Sequence, residues 1–505
     1  TRKRTLFPYT TLFRSSFLLL CLTQVVFLTI IRKQAASLGR RSWPYELVFF
    51  LLVLSSPAYI SWMTITLMDT CLWGAMVASL LYLAVHPPLS TRGRVLATSL
   101  VAIAPMARPE ALLFAPLTVA LVWVRNRANA CSNHQWFPAI LFSAFVLSSV
   151  ILTAFRLAYF GHPFPNTYYA KVSPSLVYNL FSGAKYAAKF LSESALVSGL
   201  VLVLAFSVVH AFVLSLSVRK DTDPHILGQL WGILADPEHA TSVVALTLFV
   251  IPILTGGDHF ALYRFYQPFY PVLCLFVVLL LMKASSRELA ALQTHPASRA
   301  ITSFTCLIWL FSCAFRTSWV TLKLQGSPIQ HEFGIATNGR RVGQELNRLL
   351  KGLPNWPSIG VIVAGGVARE YRGRIVDLMG LNNTFIAHFP GERKGIKNHA
   401  AFEKNAFWAI EPDILLVSPP PAGQSTSFTS QVLKGLLFDP RFVATWRYGV
   451  LTSRNDPTKG FEAFYSDAFL RRTINGRNYD FVDTRVWTGK EWAVECREET
   501  PENGG

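Results

Sequence analysis

Charge is what this sequence has least of: only 15% of its 505 residues are Asp, Glu, Lys or Arg, and acidic residues are the rarer sign, 29 against 47 basic. Soluble domains carry about a quarter of their residues charged. With 51% apolar residues and a mean hydropathy of +0.35, the composition points away from a wholly soluble protein and toward a membrane protein. Cysteine is also scarce. The seven cysteines (Cys21, Cys71, Cys131, Cys274, Cys306, Cys313, Cys496) form no CxxC pair, and only Cys496 lies in the polar C-terminal part. Neither a structural zinc nor a disulfide is therefore expected in that part. The shortage of acid leaves a formal net charge of +18, which on a soluble surface would suggest nucleic acid. Here the basic residues stand between apolar runs, so no nucleic-acid partner is expected.

Those runs are the main positive feature. They lie at 16–31, 45–60, 69–85, 95–107, 111–124, 137–158, 195–217, 241–254, 267–282 and 300–317, about ten membrane segments. Up to residue 317 the chain carries 24 basic against 10 acidic residues, and afterwards 23 against 19. Basic residues recur in alternate connections: Arg32, Lys33, Arg40 and Arg41; Arg92 and Arg94; Arg125 and Arg127; Arg219 and Lys220; Lys283, Arg287 and Arg299. The positive-inside rule makes these five loops cytoplasmic. The segments near 61–70, 108–110, 160–193 and 256–264 then face outward, as does everything after the last span.

That parity puts the start of the first run outside, and a missing earlier span is expected. Residues 1–15 (TRKRTLFPYTTLFRS) begin without Met and read as a non-native stretch resembling translated adapter sequence, which is set aside. The expected architecture is an α-helical polytopic membrane domain over 16–317 and a soluble extracytoplasmic α/β domain over 318–505. In the latter a helix is expected over 340–350 and strands over 359–364, 374–378 and 413–418.

The outward segments hold the polar residues suited to chemistry. Asp69 precedes an apolar run, where a carboxylate either caps a helix or binds a ligand. Arg108 and Glu110 flank Pro109 between two apolar runs. They can neutralise each other, or Arg108 can grip a phosphate with its fork. The segment FGHPFPNTYYAKV, from Phe160, offers Asn166 and Lys171, with Tyr168 and Tyr169 reading as an interfacial aromatic belt. An amphipathic helix with Lys185 and Lys189 should follow it on the membrane surface. Gly256-Gly257 permits a tight turn, after which Asp258, His259, Tyr263 and Arg264 supply an acceptor, a titratable ring, an aromatic and a second phosphate fork.

Taken in order, Pro57–Leu72, Ala107-Arg108-Pro109-Glu110, Pro165-Asn166-Thr167 with Lys171, Gly256-Gly257-Asp258 with Tyr263-Arg264-Phe265, Ile359–Asn383 and Asn398-His399 to Val417 resemble the multi-span glycosyltransferases of the GT-C type. The likeness is to bacterial relatives of the mycobacterial membrane arabinofuranosyltransferase, and it implies a GT-C-like bundle. The implied activity is inverting sugar transfer from a polyprenyl-phosphate donor to a cell-envelope glycan or protein acceptor, on the extracytoplasmic side of a bacterial inner membrane. Donor phosphate would meet Arg108, Lys171 and Arg264. Glu110, Asn166, His259, Tyr263 and His399 would line the substrate site, with His399 and Asp377 shaping the C-terminal domain first.

Relatives keep their catalytic acid in an external loop after the first span, which this chain is expected to lack. Asp69 and Asp258 are the substitutes in hand, and the truncated chain is expected to be inactive. Where relatives tend to have Gly-Met-Glu-Thr, this chain has Leu67-Met68-Asp69-Thr70. No resident cofactor and no metal ligand set are expected, although a divalent ion is compatible with the departing phosphate. Two rival readings are a transporter or flippase of a lipid-linked sugar and a catalytically dead binding scaffold. A transporter should place polar groups at mid-membrane depth.

Overall fold

The computed structural model describes residues 7–65, 69–128, 135–193, 197–205, 208, 235–287, 328–396, 399–421, 427–475 and 478–494. Two compact units account for the chain. Unit 1 is formed by Thr1–Pro163 and Asn179–Ser327, and unit 2 by Phe164–Tyr178 and Pro328–Gly505.

Unit 1 is helical. Its described elements are α1 (Phe7–Ser37), α2 (Trp43–Leu54), α3 (Pro57–Thr64), α4 (Thr70–Val85), α5 (Thr91–Ala107), α6 (Ala111–Ala128) and α7 (Phe137–Phe160). After a short helix α8 (Asn166–Lys171) in unit 2, α9 (Leu176–Glu193) leads back into unit 1, followed by α10 (Val197–Ala205), α11 (Pro237–Leu254) and α12 (Phe269–Arg287). Among the described residues five helices are long and apolar enough to cross a membrane, and up to seven spans result if each bent pair counts as one. The expected run at 300–317 lies outside the described residues.

One bent pair, α2 and α3, turns by 80°. Pro57 opens α3 and forces Ser56 into extended backbone, and the Ser56 hydroxyl then accepts from the Tyr59 amide. Several hydroxyls within the apolar helices are satisfied by their own backbone: Thr118 donates to the Phe114 carbonyl at 3.0 Å and Thr241 to that of Pro237 at 2.6 Å. Helix α12 is buried along most of its length, whereas α7 leaves Phe142, Leu147, Val150, Ile151 and Phe155 exposed. Apolar side chains facing outward along a 24-residue helix suit a lipid surround better than water.

Unit 2 is a seven-stranded sheet in the order β2-β1-β3-β5-β4-β6-β7. The strands are β1 (Ile359–Val361), β2 (Ile375–Asp377), β3 (Ile414–Leu415), β4 (Trp446–Ser453), β5 (Asp456–Ser466), β6 (Tyr479–Trp487) and β7 (Trp492–Val494). The first three pair in parallel, β3 meets β5 antiparallel, and the rest is an antiparallel meander. Alternate residues feed opposite cores. Ile414 and Tyr465 pack with Leu346 and Leu350 of α13 (Pro328–Leu349) and the turn that follows it, and Leu415 and Phe464 pack with Phe407, Phe442 and Trp446 on the other face.

The three parallel strands fall where the sequence placed them, each shorter than expected, whereas β4 to β7 had no counterpart there. Gly365 and Gly366 open a short helix, α14 (Gly365–Glu370), against α13. A Cβ on Gly366 would sit 2.2 Å from the Ala336 carbonyl oxygen, so close packing explains Gly366, whereas a Cβ on Gly365 would meet nothing within 4 Å.

The expected domain boundary at 318 lies close to Pro328, with one difference: Phe164–Tyr178 is built into unit 2. Asn166 donates from Nδ2 to the carbonyls of Gly380 and Leu381, at 2.6 and 3.2 Å. Arg393 donates to the carbonyls of Tyr169, Ala387 and Phe389. Ala170 packs with Ile386 and Ala387 of α15 (Thr384–His388).

Candidate functional site at one end of unit 1

Three of the four segments expected to face outward converge at one end of unit 1, and the helical part of the fourth, with Tyr186 and Phe190, packs beside them. Arg108 closes α5 in extended backbone because Pro109 follows it. Its guanidinium, buried, donates to both Glu110 carboxylate oxygens at 2.8 and 3.1 Å and lies 3.4 Å from Asp69. Burial opposes its charge, and Glu110, Asp69 and, farther off, Asp258 outweigh that penalty, so its pKa stands above the ordinary arginine value. Asp69 precedes α4 without capping it through its side chain. Its carboxylate is turned to Arg108 instead, and 48% of it is exposed.

The loop after α11 supplies the second cation. Gly256 and Gly257 adopt left-handed backbone, at φ 81° and 73°, and a Cβ on Gly257 would meet the Tyr186 Cβ at 2.6 Å. Leu262 and Tyr263 also adopt positive φ, 59° and 49°, a conformation that costs a non-glycine residue roughly 1–3 kcal/mol. The buried amide of Gln267 holds this pair by donating to both their carbonyls, at 2.5 and 3.2 Å. Asp258 is thereby enclosed, its side chain 0% exposed, 2.6 Å from Arg264 Nη2 and 3.3 Å from His259 Nδ1. The His259 ring is 30% exposed and packs against Phe260 at 4.2 Å.

Aromatic faces cover both cations. The Arg108 and Arg264 guanidinium carbons lie 5.2 and 5.0 Å from the centre of the Phe265 ring, and Arg264 also lies 4.6 Å from Phe260 and 5.9 Å from Trp62. Trp62 pins the loop by donating to the Ala261 carbonyl at 3.1 Å. A narrow cleft of about 20 Å³, lined by Trp73, Arg108, Glu110 and Phe265 among others, opens beside the pair. That is room for a water molecule or two.

The structure thus brings together Asp69, Arg108, Glu110, Asp258, His259 and Arg264. Tyr263 lies beside them, its ring tilted against Tyr186 at 5.4 Å and edge-on to Phe190 at 5.6 Å. Asn166, Lys171 and His399 belong to unit 2. There the Asn166 amide is used on backbone, and the His399 ring faces Phe428 at 5.5 Å. Asp377 shapes the domain as expected, accepting from the Met379 and Asn382 amides at 3.0 and 2.8 Å. Sequence reasoning gave no role to Trp62, Phe265 or Gln267, although Phe265 stands in the Tyr263-Arg264-Phe265 element that carries the resemblance.

The opposite end of unit 1 gathers the basic segments. Lys33 donates to the Tyr82 hydroxyl at 2.6 Å, Arg94 lies over Trp136 at 5.4 Å, Arg125 donates to the Ala235 carbonyl, and Lys283 binds Asp236 at 3.0 Å and also Glu238. Four of the five loops assigned to one side by charge therefore supply cations to this end. Arg219 and Lys220 lie outside the described residues. Asp236, Glu238 and His239 place their ligand atoms within 4.8 Å of one another, a trio the sequence reading missed. Lys283 is already paired with both carboxylates, which gives the trio an ion-pair explanation.

No protein-family model, curated protein or solved structure matches the chain.

Proposed function

We propose that the protein is a membrane glycosyltransferase of the GT-C type, moving a sugar from a polyprenyl-phosphate donor to a cell-envelope glycan or protein acceptor on the extracytoplasmic face of a bacterial inner membrane. The observation that carries this reading is the pair of buried guanidinium groups, Arg108 and Arg264, beside one aromatic ring at one end of an apolar helical unit. Buried cations at a helix-bundle terminus are costly and suit a lipid-borne phosphate. The transporter alternative calls for polar groups at mid-depth, where Thr118 and Thr247 are instead bonded to their own helices.

Charge balance sharpens the proposal. Two guanidinium groups, of Arg108 and Arg264, face three carboxylates, of Asp69, Glu110 and Asp258, and a phosphodiester adds another negative charge. Phosphate therefore enters where a carboxylate yields its arginine. Asp69, half exposed and 3.4 Å from Arg108, yields more readily than Glu110, which is bound through both oxygens. A divalent ion arriving with the phosphate would offset the same charge.

Of the two acids considered as base, Asp258 is enclosed and serves to orient Arg264 and His259. Asp69, 48% exposed, is the one an acceptor hydroxyl can reach, so on this proposal the chain supplies its own base and the expectation that it is inactive is set aside. In the transfer step the hydroxyl loses its proton to the base while its oxygen attacks the anomeric carbon. The carbon–phosphate oxygen bond breaks, and its electron pair stays on the phosphate between the arginines.

The test is Asp69→Asn, assayed for undecaprenyl-phosphate binding and for sugar transfer. Binding should equal or exceed that of the wild type, by up to about tenfold for the charge removed, while transfer is lost. Weaker binding would contradict the charge balance, and retained transfer would assign the base to another acidic loop.

A further inference from the structure

Unit 2 carries an aromatic band that no site uses. Phe164 and Tyr168 lie 4.9 Å apart, Tyr168 meets Tyr169 at 5.5 Å, and Tyr169 packs at a tilt against His388 at 4.1 Å. Phe385 and Phe389, on or next to the same short helix as His388, lie 5.5 Å apart. The band joins residues more than 200 positions apart, and Phe164, Tyr168 and Phe385 are exposed. It is also rigidly held, because the Arg393 guanidinium ties the Tyr169 carbonyl to those of Ala387 and Phe389 and the Asn166 amide ties α8 to Gly380 and Leu381. An exposed hydrophobic band fixed by buried polar bonds is costly for a domain bathed only in water.

What covers the band is set by its attachment. Helix α7 ends at Phe160, capped by Gly161 in left-handed backbone, and its last turns expose Phe155, Tyr159 and Phe160. Phe164 follows four residues later, at most about 14 Å of extended chain. Tyrosine and phenylalanine rings are favoured at the headgroup level of a bilayer.

We propose that this edge of unit 2, through Phe164, Tyr168 and Phe385, is seated in the headgroup layer of the membrane that α7 crosses. The extracytoplasmic unit is then docked on the bilayer surface, at the level where a lipid-linked sugar presents its phosphate. This rests on the reading of α7 as a membrane span.

The test places the photocrosslinking residue p-benzoylphenylalanine at Phe385 and, separately, at Tyr168. The full chain is held in nanodiscs of phosphatidylethanolamine and phosphatidylglycerol, and adducts are read by peptide mass. Phe155 on α7 is the membrane control, and exposed Val482 on β6 is the solvent control. Lipid adducts are expected at 385 and 168 within about threefold of those at 155, and at background at 482. Adducts at 155 alone would overturn the seating while leaving the span intact, and adducts to protein at 385 and 168 would assign the band to a protein partner instead. Background at all four positions would remove the span as well.

Discussion

Helix α11 has an ion-pair cluster at each end, about 27 Å apart, and the two are built from different materials. At the Asp236 end the Lys283 ammonium, close to half exposed, is shared between Asp236 and the buried Glu238, and the Arg125 guanidinium binds the neighbouring Ala235 carbonyl. At the Asp258 end the cations are guanidinium groups, buried beneath Phe260, Phe265 and Trp62, and the backbone that presents them includes two non-glycine residues at positive φ. The first arrangement closes a helix terminus and costs little to make. The second demands desolvation and strain, which a fold retains where a site needs them. Charge alone does not separate a structural cluster from a functional one; burial, fork geometry and strain do.

The largest expected effect breaks the second cluster. Arg264→Ala leaves the Asp258 carboxylate enclosed without its closest cation and should cost about 3–5 kcal/mol of stability, seen as a lower unfolding midpoint in detergent. Adding Asp258→Asn should recover most of that stability and none of the phosphate binding. A double variant that binds like the wild type would reduce the pair to a structural pin.

The sequence revealed the division of labour better than the details. Alternating basic loops placed Lys33, Arg94, Arg125 and Lys283 on one side, and all four do meet at one end of unit 1. Asp69, Arg108 and the Gly256–Arg264 loop were legible as outward segments because their charges interrupt apolar runs. The role of Asn166 was not legible, because its partners Gly380 and Leu381 lie more than 200 residues away. Strands β4 to β7 escaped notice because polar residues fall on both faces of β6, Asp480 on one and Asp483 and Arg485 on the other, which breaks the apolar alternation. Gln267 carries no local signal at all. Its importance comes from the strained carbonyls that it holds.

A smaller effect lies in unit 2, away from both clusters. Burial pushes the Asp377 carboxyl above its ordinary value of 3.8, against the hydrogen bonds from Asn382 and Met379. The folded protein therefore holds this proton more tightly than the unfolded chain. The contribution to stability is greatest at low pH and falls as pH rises from about 4 through the raised folded value. Asp377→Asn should flatten that part of the curve of unfolding midpoint against pH. An unchanged slope would show that Asp377 does not titrate differently on folding.

The most direct test compares the two ends of α11 in one binding measurement. Undecaprenyl-phosphate affinity should fall at least about tenfold in Arg108→Ala, the loss of one charge-assisted fork, and stay within about twofold of the wild type in Lys283→Ala. Equal losses in both variants, or none in Arg108→Ala, would contradict the assignment of the phosphate site to the Asp258 end.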